Sequence, residues 1–77
     1  MSVHEQNFKK EVSVLGNQIR KIRKAKNISQ LKLAQLCNIE KANISRIEAG
    51  FSNPTLFTLF KIASDLKISL ATVFSHT

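Results

Sequence analysis

The stretch Ser29–Gly50, SQLKLAQLCNIEKANISRIEAG, constrains the fold more than any other part of the chain. Ser29 is suited to cap a helix, because its hydroxyl can accept a first-turn N–H that has no partner within the helix. Leu33, Ala34 and Cys37 then fall on one helical face, which predicts a short helix over about 30–37. Asn38 tolerates left-handed backbone and ends it. Only Asn38-Ile39-Glu40 separates it from a second short helix over about 41–48, with Ile44 and Ile47 turned inward. Gly50 stops that helix, so two short amphipathic helices must pack across a three-residue turn.

The rest of the chain reads as three more helices. Phe8, Val12, Leu15, Ile19 and Ile22 recur at intervals of four and three, one face of a helix. Gly16 costs ~1 kcal/mol in a helix interior, which favours Ser13 as the N-cap and a helix over about 14–26, ended by Asn27. Residues 1–12 then form an N-terminal arm, flexible or in part helical, and 13–77 a single domain. Pro54 drives Asn53 out of the α region, so Phe51-Ser52-Asn53-Pro54 is a loop. Thr55 caps a helix over about 56–66 whose apolar stripe is Leu56, Leu59, Ile62, Ala63 and Leu66. Ile68 packs in the connection, and Ser69 caps a last helix over about 70–75 carrying Leu70, Val73 and Phe74. No segment shows the two-residue alternation of a strand, and there is no internal repeat. The fold class is all-α, a compact five-helix bundle.

A chain of 77 residues forms one small domain, and a core of that size supplies only ~3–5 kcal/mol without a staple. Cys37 is the only cysteine, and His4 and His76 lie near opposite ends, so neither a disulfide nor a zinc-ligand spacing is available. No cofactor or metal is expected, and dimerisation is. No run approaches the roughly 18 apolar residues of a membrane span, and the N-terminus is polar, so a cytoplasmic protein with a reduced thiol is expected. Glu5, Glu11, Glu40, Glu48 and Asp65 form no evident pair and Cys37 reads as a buried hydrophobe, which argues against an enzyme and leaves no small-molecule ligand evident.

Charge points elsewhere. Twelve Lys+Arg against five Asp+Glu give +7, and Lys9, Lys10, Arg20, Lys21, Arg23, Lys24, Lys26 and Lys32 face only Glu11 within their span. Such a stripe suits phosphate, which it would hold by counterion release without reading sequence. The two central helices have the layout of a helix-turn-helix, whose second helix can enter the ~12 Å wide major groove. Its exposed positions are Lys41, Ala42, Asn43, Ser45 and Arg46. Lys and Arg donate to guanine, Asn pairs with adenine, Ser serves either, and Ala can touch a thymine methyl.

The pieces LGNQIRKIRKAKNISQ, LAQLCNI, ISRIEAG, NPTLFTLFKIA and ISLATVF, in this order and spacing from Leu15 to Phe74, resemble the lambda-repressor/Cro-like helix-turn-helix regulators, the XRE family. The resemblance implies base contacts by Lys41, Ala42, Ser45 and Arg46. It implies phosphate contacts by Gln30, Asn43 and Asn53, with Lys21 among the flanking positive charges. Arg23 and Glu48 match positions that form an ion pair in the family, Arg23 sharing its remaining donors with phosphate. Three features depart from the pattern. Glu40 stands in place of the usual hydroxyl cap, Lys67 in place of the Gly that commonly ends the fourth helix, and Leu31, Leu36, Phe51 and Phe57 at mostly polar positions.

The implied function is sequence-specific DNA binding by a homodimeric transcriptional regulator, a repressor or controller-type protein acting on double-stranded DNA. Its dimer contact is expected at Leu70, Val73 or Phe74. The alternative is an antitoxin-like module that binds a protein partner through its exposed hydrophobes.

Overall fold

In a computed structural model, residues 1–75 are described and form five helices without a strand. These are α1 (Val3–Ala25), α2 (Gln30–Cys37), α3 (Lys41–Ala49), α4 (Leu56–Asp65) and α5 (Leu70–Phe74). The expected final residues of the domain, His76 among them, lie outside the described residues. The all-α bundle is therefore as expected, with one large difference at its start.

That difference is α1, which runs 23 residues and leaves no separate arm. Ser2 rather than Ser13 is its N-cap: the Ser2 hydroxyl accepts from the Glu5 N–H at 3.1 Å and the Glu5 carboxylate accepts from the Ser2 N–H at 3.4 Å. This reciprocal capping box satisfies two otherwise unpaired N–H groups. Gly16 consequently lies in the helix interior, and its use there is packing. A Cβ on Gly16 would overlap the Ile47 carbonyl oxygen and approach that of Glu48 at 2.9 Å, so only glycine lets the end of α3 cross α1 this closely. Ser13 instead lies against the buried Gly50, where a Cβ would meet the Ser13 Oγ at 2.6 Å.

Each of the first four helices ends in the same way. Asn27, Asn38, Gly50 and Lys67 adopt left-handed backbone, with φ of 58°, 55°, 80° and 60°. The following residue donates its N–H back across the last turn: Ile28 to Arg23, Ile39 to Ala34, Phe51 to Arg46 and Ile68 to Ala63, at 2.9–3.1 Å. This closure satisfies carbonyls that the helix leaves open. Lys67 thus keeps the geometry that its side chain disfavours.

Ile19, Leu33, Ile44, Ile62 and Leu66 are fully buried, with Ala34, Cys37, Ile47, Leu59, Ala63 and Val73 around them. Burial pushes the Cys37 thiol up to about 12, and the nearby Asp65 carboxylate adds to the shift, so at neutral pH it is the neutral apolar side chain expected. Two expectations fail here. Leu56, placed in the core stripe of α4, is 62% exposed, because Leu59, Ile62, Ala63 and Leu66 already fill the inward face. Phe8 is half exposed, at the edge of a cleft that it shares with Val12, Val73 and Phe74. All five phenylalanines, residues 8, 51, 57, 60 and 74, are in fact on the surface, and the core is aliphatic.

Two substitutions test this packing through denaturant unfolding. Helix propensity alone would make Gly16→Ala stabilising by ~1 kcal/mol, whereas the overlap with α3 predicts a loss of at least ~1–3 kcal/mol. Lys67→Gly is expected to stabilise by about 0.5–1 kcal/mol, because glycine adopts the left-handed conformation without the Cβ clash.

Candidate nucleic-acid interface

The turn between α2 and α3 holds the site together. Ser29 caps α2 by accepting from the Lys32 N–H at 3.0 Å, and Ile39 tucks against the core between the two helices. Glu40 precedes α3 without a side-chain cap bond, as its carboxylate suggested, although its charge still favours the N-terminal end of the helix dipole. Ile44, Ile47 and Glu48 are the buried residues of α3. The opposite face presents Lys41, Ala42, Asn43, Ser45 and Arg46, all exposed. Two of these are organised before any ligand arrives: the Arg46 Nη2 donates to the Asn43 Oδ1 at 2.8 Å, one turn apart on the helix.

Behind this face lies a buried ion pair. The Arg23 Nε donates to the Glu48 Oε2 at 2.6 Å and its Nη2 to the Glu48 Oε1 at 2.9 Å, a two-pronged contact from α1 to the end of α3. The Arg23 Nη1 donates to the Ile28 carbonyl at 2.7 Å, and the Gln30 Nε2 to the Glu48 Oε1 at 3.1 Å. Hydrogen bonding to Glu48 raises the Arg23 pKa above its ordinary value, against the opposing effect of burial. One carboxylate therefore ties α1, the start of α2 and α3 into a fixed relation.

The expected ion pair is present, and with the Ile28 carbonyl it takes up three of the five guanidinium N–H groups of Arg23. Arg23 is only 6% exposed and all three of its guanidinium nitrogens have protein acceptors. Arg20, one turn earlier on α1 and part of the same basic stripe, is the more accessible of the two arginines. It is exposed and lines a polar recess with Arg23, Gln30, Ser45, Glu48 and Ala49, where α1, the start of α2 and α3 converge. The i, i+3 spacing sets the two arginines on adjacent turns of one helix face. Gln30 lines the same recess, Lys21 is exposed beside it in sequence on α1, and Asn53 is exposed in the loop after α3. Val73, expected at a dimer contact, is 1% exposed because it closes the core from α5; Phe74 remains exposed and Leu70 half-buried.

Glu48→Ala should lower stability by about 3–5 kcal/mol in urea unfolding, because it strands a buried guanidinium. A combined Arg23→Met and Glu48→Leu replacement should recover most of that loss, since the cost lies in the unpaired charge.

The geometry has counterparts among known proteins. The control protein C.MunI of Mycoplasma sp is 38% identical over 61 residues, covering 78% of this chain and 82% of its own. The HTH-type transcriptional regulator SutR of Escherichia coli K12 is 33% identical over 61 residues, 79% of this chain, which spans only 34% of SutR. Among solved structures, the biofilm master regulator SinR in complex with DNA superposes with a TM-score of 0.75 at 31% identity, over 79% of this chain and 98% of that one. A helix-turn-helix family model matches residues 19–73, from the middle of α1 to α5. With that match over most of its length, the chain belongs to the helix-turn-helix family of XRE-type, lambda-repressor-like regulators.

Proposed function

We propose that this chain is a sequence-specific DNA-binding transcriptional regulator that acts as a homodimer on double-stranded DNA, with α3 in the major groove. The observation that carries the reading is the exposed face of α3, held in place from behind by the Arg23–Glu48–Gln30 network. Lys41, Ala42, Ser45 and Arg46 read bases in this scheme, and Asn43 serves both as a phosphate contact and as the brace of Arg46. Arg20, Lys21, Gln30 and Asn53 hold the flanking phosphates, with Arg23 contributing its remaining donors from the same recess as Arg20. The resemblance to a control protein that this chain nearly spans, and to a regulator solved on DNA, supports the same reading. Its chemistry is binding rather than catalysis, and it belongs in the compartment that holds the DNA.

A second reading keeps an observation of its own. Leu31, Leu36, Phe51 and Phe57 are all exposed, which favours contact with another protein, as an antitoxin-like module would make. In that case a stable complex with an unrelated chain, rather than self-association, would account for the apolar surface.

Selection of bound sites from a random DNA pool at a fixed salt concentration tests the proposal. A near-palindrome with half-sites about one helical turn apart, ~34–36 Å, is expected. On the selected site Lys41→Ala or Arg46→Ala should cost ~1–3 kcal/mol and relax the sequence preference. Arg20→Ala or Lys21→Ala should instead weaken selected and random DNA about equally and reduce the salt dependence by about one counterion each. Equal losses on both DNAs for Lys41 and Arg46 would remove their readout role.

A further inference from the structure

Two copies of a chain carrying +7 repel one another, so the place where they can meet is decided by charge as much as by apolar area. The charge is unevenly spread. Residues 1–49 hold ten basic and four acidic side chains, a net +6, whereas residues 50–77 hold Lys61, Lys67 and Asp65, a net +1. The nearly neutral part includes α4 and α5, and the outer face of α4 is unusually apolar. Leu56, Phe57 and Phe60 are 62%, 68% and 54% exposed on its first turns, at the i, i+1 and i+4 positions of one ridge.

We propose that this ridge, Leu56–Phe57–Phe60, is the surface through which two copies of the chain pair, α4 against α4 about a two-fold axis beside Phe60. The inference rests on the homodimer reading above and moves its contact from the end of α5 to α4. At roughly 200 Å² for each large apolar side chain, the three exposures amount to about 350 Å² per copy. A standard interface covers about 800 Å² per partner, around 65% of it apolar in homodimers, so the ridge supplies most of the apolar share. The antiparallel arrangement is self-complementary. An axis at Phe60 sets Leu56 of each copy opposite the small, exposed Ser64 of the other, with the Lys61 ammonium, 5.2 Å from the Phe57 ring centroid, at the rim.

The competing apolar surface is the cleft between α1 and α5, where Glu11 lies among Phe8, Val12, Leu15, Val73 and Phe74. Among the described residues Glu11 is the one charged residue lining it, but the helix that walls it also carries Lys9, Lys10, Arg20 and Lys21, so two copies meeting there would bring the positive charge of two α1 helices together. Pairing through α4 keeps the basic face of α1 clear of the second copy and available to the same DNA.

Sedimentation equilibrium of the full chain and of two variants separates the possibilities. The wild type should dimerise at tens of micromolar, Phe60→Lys should weaken the dimer at least about tenfold, and Phe8→Lys should leave it unchanged. Proton NMR of the wild type on dilution gives a second readout that needs no variant to fold: the ring signals of Phe57 and Phe60 should shift, and that of Phe8 should not. A Phe60→Lys protein that is folded by circular dichroism and dimerises like the wild type overturns the interface, as do dilution shifts confined to Phe8 and Phe74. A wild type that stays monomeric and occupies half-sites singly overturns the homodimer reading and the interface with it, while leaving DNA binding intact. Dimers held only by a different protein chain in a mixed complex count against it in the same way.

Discussion

The arrangement depends on the Glu48 carboxylate more than on any other single group. It is buried at the end of α3 and receives hydrogen bonds from Arg23 of α1 and Gln30 of α2. Ion pairs at a surface contribute little, but one that is desolvated and fully hydrogen-bonded penalises every arrangement that would leave either charge unpaired. The pair therefore acts on geometry: α3 cannot slide or rotate against α1 without stranding a charge. Gly16 adds a steric limit on the same crossing, since the carbonyls of Ile47 and Glu48 rest where its side chain would be. Electrostatics and close packing thus set the angle at which α3 presents Lys41, Ala42, Ser45 and Arg46.

Function follows from how the surface is divided once that crossing is fixed. The positive charge gathers on α1 and the exposed side of α3, and the aromatic surface of α4 lies on the least charged part of the chain. A small aliphatic core leaves all five phenylalanines outside, which accords with a fold whose remaining apolar surface is covered by other molecules. DNA and a second copy would make opposite electrostatic demands, and the charge is divided between two faces that suit them separately.

Much of this was legible in the sequence because it is local. The caps at Ser29, Thr55 and Ser69, the left-handed ends at Asn27, Asn38 and Gly50, and the inward positions Leu33, Ala34, Cys37, Ile44 and Ile47 follow from spacing and side-chain type. The start of α1 was misread for an instructive reason. Glycine in a helix was weighed only by its intrinsic propensity, which favoured a late start at Ser13, when the close approach of α3 is what requires it. Ser2 and Glu5 form the capping box that starts the helix eleven residues before Ser13.

By itself the sequence determined the helical elements, their order and the chemistry displayed on α3, because these rest on 3.6-residue periodicity, capping and side-chain donors. Only the tertiary structure decided how two similar arginines differ: Arg23 and Arg20 stand one turn apart on the same helix, and the first is buried against Glu48 while the second is exposed. It also decided that Val73 completes the core while Leu56, Phe57 and Phe60 face outward. An apolar stripe reports that a residue avoids water, and the packing of neighbouring helices sets whether this chain or another molecule provides the shelter.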